Sequence, residues 1–169
     1  GQQYRCIVKS SNGTSVTSSA AKLTVKAAIT KQPANASGAV NTNVKFSVTA
    51  SGAGTLSYQW QYYDKTTSTW KDSGMTGAKT ATLTVPVTAA RDGQQYRCIV
   101  KANGSSVTSS AAKLTVKAAI TKQPANVSGA IDSNVKFSVT ASGAGTLSYQ
   151  WQYYDKASST WKDSSMTGA

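Results

Sequence analysis

TATLTVPVTAARDGQQYRCIVKANG, residues Thr80 to Gly104, decides the fold. It contains two runs of alternating side chains joined by a polar turn. Ala81, Leu83 and Val85 fall on one face of the first run, and Tyr96, Cys98 and Val100 on one face of the second. Alternation with a period of two marks a half-buried strand. Asn103-Gly104 is the strongest hairpin signal in the chain, a pair suited to a type I′ turn. Beyond it the chain returns through SSVTSSAAKLTV (105–116), where Leu114 and Val116 close the core.

Upstream, NVKFSVTASG (43–52) alternates in the same way, with Val44, Phe46, Val48 and Ala50 on one face and Lys45, Ser47 and Thr49 on the other. TLSYQWQYYD (55–64) sets Leu56, Tyr58, Trp60 and Tyr62 against Ser57, Gln59, Gln61 and Tyr63. A short strand is expected around Thr69-Trp70-Lys71. ITKQPAN (29–35) reads as an edge strand interrupted at Pro33, where the missing N–H is tolerable. The absence of Glu and the scarcity of Leu disfavour helix. Seven or so short strands within about 90 residues, with turn signals at regular spacing, predict a β-sandwich.

These elements recur. GQQYRCIVK occurs at Gly1 and again at Gly93, KLTVKAAITKQPAN at Lys22 and Lys113, and GTLSYQWQYYDK at Gly54 and Gly145. The offset is 92 residues up to Lys9 and 91 from Asn12 onward. Such a period is too long for a solenoid unit of roughly 20 to 50 residues and fits one small domain. The expected organisation is all-β and tandem. Residues 27–118 form one complete domain, 1–26 the last two strands of a preceding repeat, and 119–169 the first half of a following one. The run LTVKAAITKQ between repeats contains no Gly, Ser or Pro. It implies a rod rather than beads on a string, with each domain advancing the axis by roughly 35 to 45 Å.

The residues also carry a family resemblance. SYQWQ around Trp60 resembles the C strand of immunoglobulin-like domains, and Asp92-Gly93-Gln94-Gln95-Tyr96-Arg97-Cys98 resembles their Asp-x-(Gly/Ala)-x-Tyr-x-Cys run into strand F. The resemblance implies a Greek-key sandwich with Val48, Trp60, Leu83, Tyr96 and Cys98 in its structural core. Tyr96 would be a tyrosine corner whose hydroxyl bonds back to upstream backbone. Val48 stands where the partner cysteine usually sits, so a Val–thiol contact against Trp60 replaces the disulfide. Gln94 departs from the small residue expected there. The phrases YQWQYY, WKDSGMTG and TATLTVPVTAARDGQQYRC look closest to tandem bacterial immunoglobulin-like repeats of long cell-surface and adhesin-type proteins. That likeness implies an extracellular, surface location.

Chemistry is sparse. The chain has no His and no Glu, and its six Asp are single residues at turns. No carboxylate pair is arranged for acid–base work. Cys6 and Cys98 are one repeat position seen twice, so each repeat has a lone thiol with no activating base. Neither calcium nor zinc ligand sets are present. An enzyme, a cofactor and a metal are therefore not expected. No apolar run approaches the roughly 18 residues of a membrane-spanning helix. No signal peptide or initiating Met is present, as expected of a segment from the interior of a larger protein.

A binding face is the remaining possibility. Alternation directs Gln59, Gln61 and Tyr63 outward beside Arg97, Ile99 and Lys101, with Trp70 flanking them. Aromatic rings among amides and cations can stack on a host glycan or hold a protein loop. They can equally just cover the sheet. The net charge of +12 is scattered over Lys. It serves solubility and blunts sheet edges, or it attracts an anionic cell-wall polymer or another polyanion. Four Asn-x-Ser/Thr sequons occur, at Asn12, Asn35, Asn103 and Asn126. The stretch 79–92 has no counterpart in either flanking segment. Each flank must therefore be completed, either by continuation of the polypeptide or by strand donation between subunits. Both schemes make neighbouring identical repeats or subunits the partners in a linear array or filament.

Overall fold

The computed structural model describes residues 1–166 and 168. The central domain is built of two sheets. One contains β5 (Ala28–Lys31), β7 (Asn43–Ser47), β8 (Thr49–Ser51) and β11 (Thr82–Pro86), with β5 antiparallel to β8 and β7 antiparallel to β11. The other runs in the order β10 (Thr69–Asp72), β9 (Ser57–Asp64), β12 (Gln95–Ala102), β14 (Ala112–Lys117), β6 (Ala36–Ala39), with β13 (Ser105–Thr108) paired to the far end of β12. Strand β6 lies parallel to β14, and every other pairing is antiparallel.

The interior follows from alternation. Phe46, Leu83, Val85, Tyr96, Cys98, Val100 and Leu114 are fully or almost fully buried, and Trp60 lies at their centre with 0% exposure. Val48 joins the same cluster. Trp60 donates its indole N–H to the Thr80 carbonyl (3.0 Å), which satisfies the one polar atom of an otherwise apolar side chain. Val87, Ala102 and Ala112 also belong inside, each two residues along from an inward neighbour on the same strand face. Burying so much aliphatic and aromatic surface is the main stabilising term, at roughly 1.5–3 kcal/mol for each large side chain.

Three features differ from a reading of seven uninterrupted strands. ITKQPAN is not one edge strand. Pro33 is buried, and the chain passes there from β5 in one sheet to β6 in the other. NVKFSVTASG divides at Val48, whose N–H still meets the Ala81 carbonyl (3.0 Å) in the β7–β11 register, before the chain pairs with β5 instead. Between β10 and β11 the chain forms turns that bury Ser73 and Ala78. Gly77 in that stretch has φ +82°, and a Cβ there would lie 2.0 Å from the Thr82 carbonyl oxygen.

Among the described residues, the strands of the flanking segments pair within their own segment. β1 (Gln3–Tyr4) pairs with β4 (Ala21–Lys22), and β2 (Ile7–Lys9) with β3 (Ser15–Thr17). On the other side, β15 (Ala119–Lys122) pairs with β16 (Thr140–Ser142), and β17 (Gln152–Asp155) with β18 (Thr160–Asp163). Only Ala118 separates β14 from β15. No helix among the described residues is long and apolar enough to cross a membrane.

Candidate functional site

The outer face of β10, β9 and β12 gathers most of the residues that alternation directs outward. Tyr63 stands opposite Trp70, Gln61 opposite both Asp72 and Arg97, and Gln59 opposite Ile99. Five of these side chains form one connected group. The Arg97 guanidinium carbon lies 4.3 Å from the centroid of the Trp70 ring, and Tyr63 meets that ring edge-on at 5.4 Å. Arg97 Nε donates to Gln61 Oε1 (2.9 Å), and Gln61 Nε2 donates to Asp72 Oδ1 (2.8 Å). The other residues stand apart. Gln59 turns its amide to the Trp60 carbonyl (2.8 Å). Ile99 faces Gln59 across the ladder, and Lys101 lies opposite Ser57 at the far end of the strands.

Asp72 was not among the expected face residues, yet it closes the group. Its signal was two-residue spacing from Trp70 on the same strand face. Gln94 is the second addition: its amide donates to the Tyr63 carbonyl and holds the rim of β9. Within the group the hydrogen bonds run from Arg97 to Gln61 and from Gln61 to Asp72. Arg97 already occupies a face of Trp70, and such a contact contributes roughly 0.5–1 kcal/mol at an exposed site. A sugar or a protein loop would have to displace it.

The titratable groups are structural. Asp64 pairs with Lys71 and also accepts the Thr66 N–H (2.9 Å) and hydroxyl (2.7 Å). Lys71, followed by Thr66, holds the Asp64 carboxyl well below the usual range, and the pair raises Lys71 in turn. This group pins a turn in which Ser68 takes φ +53°. Asp155 repeats it with Lys162 and with the backbone of Ala157. Burial pushes the Cys98 thiol up to about 11, so its thiolate is disfavoured at neutral pH. No group of three or more metal-ligating side chains occurs among the described residues.

Tyr96 corrects an expectation. Its ring is buried and tilted against Phe46 at a centroid distance of 4.9 Å. Its hydroxyl, however, has no hydrogen-bond partner among the described residues, so the bond of a tyrosine corner is not formed. Carbonyls of the upstream turn already accept other donors. The Arg91 N–H takes the Thr88 carbonyl, the Asp92 N–H takes Ala89, and the Gln94 N–H takes Arg91. Desolvation raises the Tyr96 hydroxyl to about 12.

A strand that switches sheets, a parallel pairing to the last strand and a tryptophan across the core together define an immunoglobulin-like domain. The model of the immunoglobulin I-set domain matches residues 27–116, more than half of the chain, and the chain belongs to that family. It is 34% identical over 127 residues to Endoglucanase C of Cellulomonas fimi, an alignment covering 73% of this chain and 11% of that protein. Among solved structures it resembles the tandem Ig repeats of Dlar, with 21% identity, 68% of this chain and 61% of that one covered, and a TM-score of 0.46. Sidekick-1 immunoglobulin domains 1–5 match at 21% identity, with 88% of this chain and 34% of that one covered, and a TM-score of 0.45.

Proposed function

We propose that this chain is a stretch of tandem I-set repeats acting as a stiff, non-catalytic extracellular spacer in a bacterial surface or secreted protein. The observation that carries the reading is the junction after residue 117. A single residue joins β14 to β15, and Ala144, in the loop after β16, packs against the core cluster of the central domain. Ser142 beside it is half-buried, whereas its repeat counterpart Ser51 is exposed. A linker too short to flex, together with a loop seated on the preceding domain, restricts bending. Repetition then sets length. Kinship with part of an endoglucanase fits an accessory module in a multidomain secreted protein.

Small-angle scattering from the chain before and after insertion of a six-residue Gly-Ser segment behind Ala118 tests the reading. The insertion should broaden the distance distribution and lower the apparent stiffness. A native profile already as broad as that of the inserted chain would overturn the spacer role.

A further inference from the structure

Seven asparagines occur in the chain, and the structure sets one of them apart. Asn41, Asn43, Asn126 and Asn134 each precede a β-branched residue, whose side chain crowds the amide between them. Asn35 Oδ1 accepts the Lys113 N–H (2.8 Å). Asn12 and Asn103 precede glycine. Asn12 Oδ1 is held by the Thr14 N–H (3.1 Å) and by the Thr14 hydroxyl (2.8 Å). No such bond holds Asn103 among the described residues, and the residue is exposed.

Asn103 and Gly104 are the two central residues of the turn between β12 and β13. Ladder pairing ends at Ala102 opposite Ser105, so the Gly104 N–H is not spent across the strands. A Cβ built on Gly104 would meet no atom within 4 Å, so the space around its amide is open. A pocket of about 440 Å³ lies beside both residues and is lined also by Thr55, Ser57 and Lys101. Its hydroxyls draw water to the turn. The Lys101 ammonium in the same pocket favours loss of the Gly104 amide proton, because a nearby cation stabilises a developing anion.

We propose that Asn103 is a site of spontaneous deamidation in the folded domain. The Gly104 amide nitrogen attacks Asn103 Cγ and forms a five-membered cyclic imide. The side-chain nitrogen leaves as ammonia, carrying the proton that Gly104 gives up. Water then adds to either imide carbonyl. Opening at Cγ leaves aspartate at position 103, and opening at the main-chain carbonyl leaves isoaspartate. Water is the only co-reactant, and nothing is oxidised or reduced. Isoaspartate places an extra methylene in the main chain of a two-residue turn, whose geometry matches the strand twist only with both residues at positive φ. Ser105 Oγ, two residues on, donates to the Ala102 carbonyl (2.9 Å) and accepts the Ala27 N–H (2.7 Å). The turn thereby holds the residue that leads into β5, and isoaspartate at 103 releases it. The proposal is independent of the spacer role.

Peptide mass analysis of the full chain, aged folded in mildly alkaline buffer, is the experiment. Trypsin yields 102–113 and 10–22, whose different sequences report Asn103 and Asn12 separately. Peptide 102–113 should gain about 1 Da and split into two chromatographic products, while 10–22 converts more slowly. Gly104→Ala should slow the gain at least about tenfold, with tryptophan fluorescence confirming that the domain is folded. Exchange of the Ala27 amide should quicken with the isoaspartate fraction, and an equally aged Asn103→Gln chain should show no such change. A 102–113 peptide that keeps its mass over the time in which the urea-unfolded chain converts overturns the proposal. Conversion at Asn12 as fast as at Asn103, or an Ala27 amide indifferent to the isoaspartate fraction, overturns it as well.

Discussion

Replacing Tyr96 by Phe removes a single oxygen from the centre of the domain, and the sign of its effect is informative. The ring is fully buried and its contact with Phe46 survives the change. The hydroxyl is buried without a partner. A hydroxyl kept from water without compensation costs roughly 1–3 kcal/mol. The void left by its removal is about the size of one oxygen atom and, at roughly 24 cal/mol per Å³, costs only a few tenths of a kcal/mol. Tyr96→Phe should therefore stabilise the domain by about 1 kcal/mol, raising Tm by roughly 4–8 °C for a domain of this size. A tyrosine corner bonded to backbone predicts the reverse, because the substitution would then orphan a buried carbonyl.

Urea unfolding of the full chain, followed by tryptophan fluorescence, measures the difference. The midpoint should rise with the m-value unchanged, since the surface exposed on unfolding is almost the same. Destabilisation by about 1 kcal/mol or more would refute the reasoning and place a hydrogen bond on the hydroxyl.

Alkaline pH should weaken the fold, because Tyr96 and Cys98 are both raised, to about 12 and about 11. Unfolding lets each group ionise nearer its ordinary value, so the unfolded chain binds fewer protons and stability falls as pH rises, from about pH 9 for the thiol and about pH 10 for the phenol. In thermal melts across this window, Tyr96→Phe should leave only the thiol's share of the loss. Trp60→Ala should cost roughly 3–5 kcal/mol and abolish cooperative unfolding at moderate urea, as a large cavity in the core demands. Gly104→Ala meets no atom within 4 Å, and its cost is the left-handed φ of +77° alone, about 1–2 kcal/mol. Gly77→Ala adds a clash with the Thr82 carbonyl, so its midpoint should fall further by at least about 1 kcal/mol. Arg97→Ala should cost about 1 kcal/mol through loss of the Trp70 and Gln61 contacts, measured by the same urea titration.

What the sequence revealed follows the range over which each feature is encoded. Alternation is local, and so the inward faces of β7, β11 and β12 are legible residue by residue. The Asn103-Gly104 turn is legible for the same reason, with both residues at positive φ. Pro33 is visible as an interruption, but the transfer of the chain to the other sheet is not. It depends on β14 offering a free edge to Ala36–Ala39, more than 70 residues away. The Tyr96 hydroxyl is misread because the side-chain pattern is silent about whether any carbonyl of the neighbouring turn comes within reach of it. The outward residues of β9 and β12 are correctly aligned by register, yet only three-dimensional proximity joins Asp72 to Gln61 and lays Arg97 over Trp70.

GQQYRCIVK separates local from nonlocal encoding within one molecule. At Gly1 and at Gly93 the same nine residues carry the same cross-strand register and the same bond from the cysteine N–H to a serine hydroxyl. Their burial is opposite: Cys6 is exposed and Cys98 fully buried. The hairpin is thus specified by its own residues, whereas its free energy depends on what lies beneath it. A substitution that loosens β12 on β9 inside the domain should therefore have little effect when made at its exposed repeat counterpart. Val100→Ala should lower the urea midpoint, whereas Val8→Ala, on the exposed copy, should leave it unchanged.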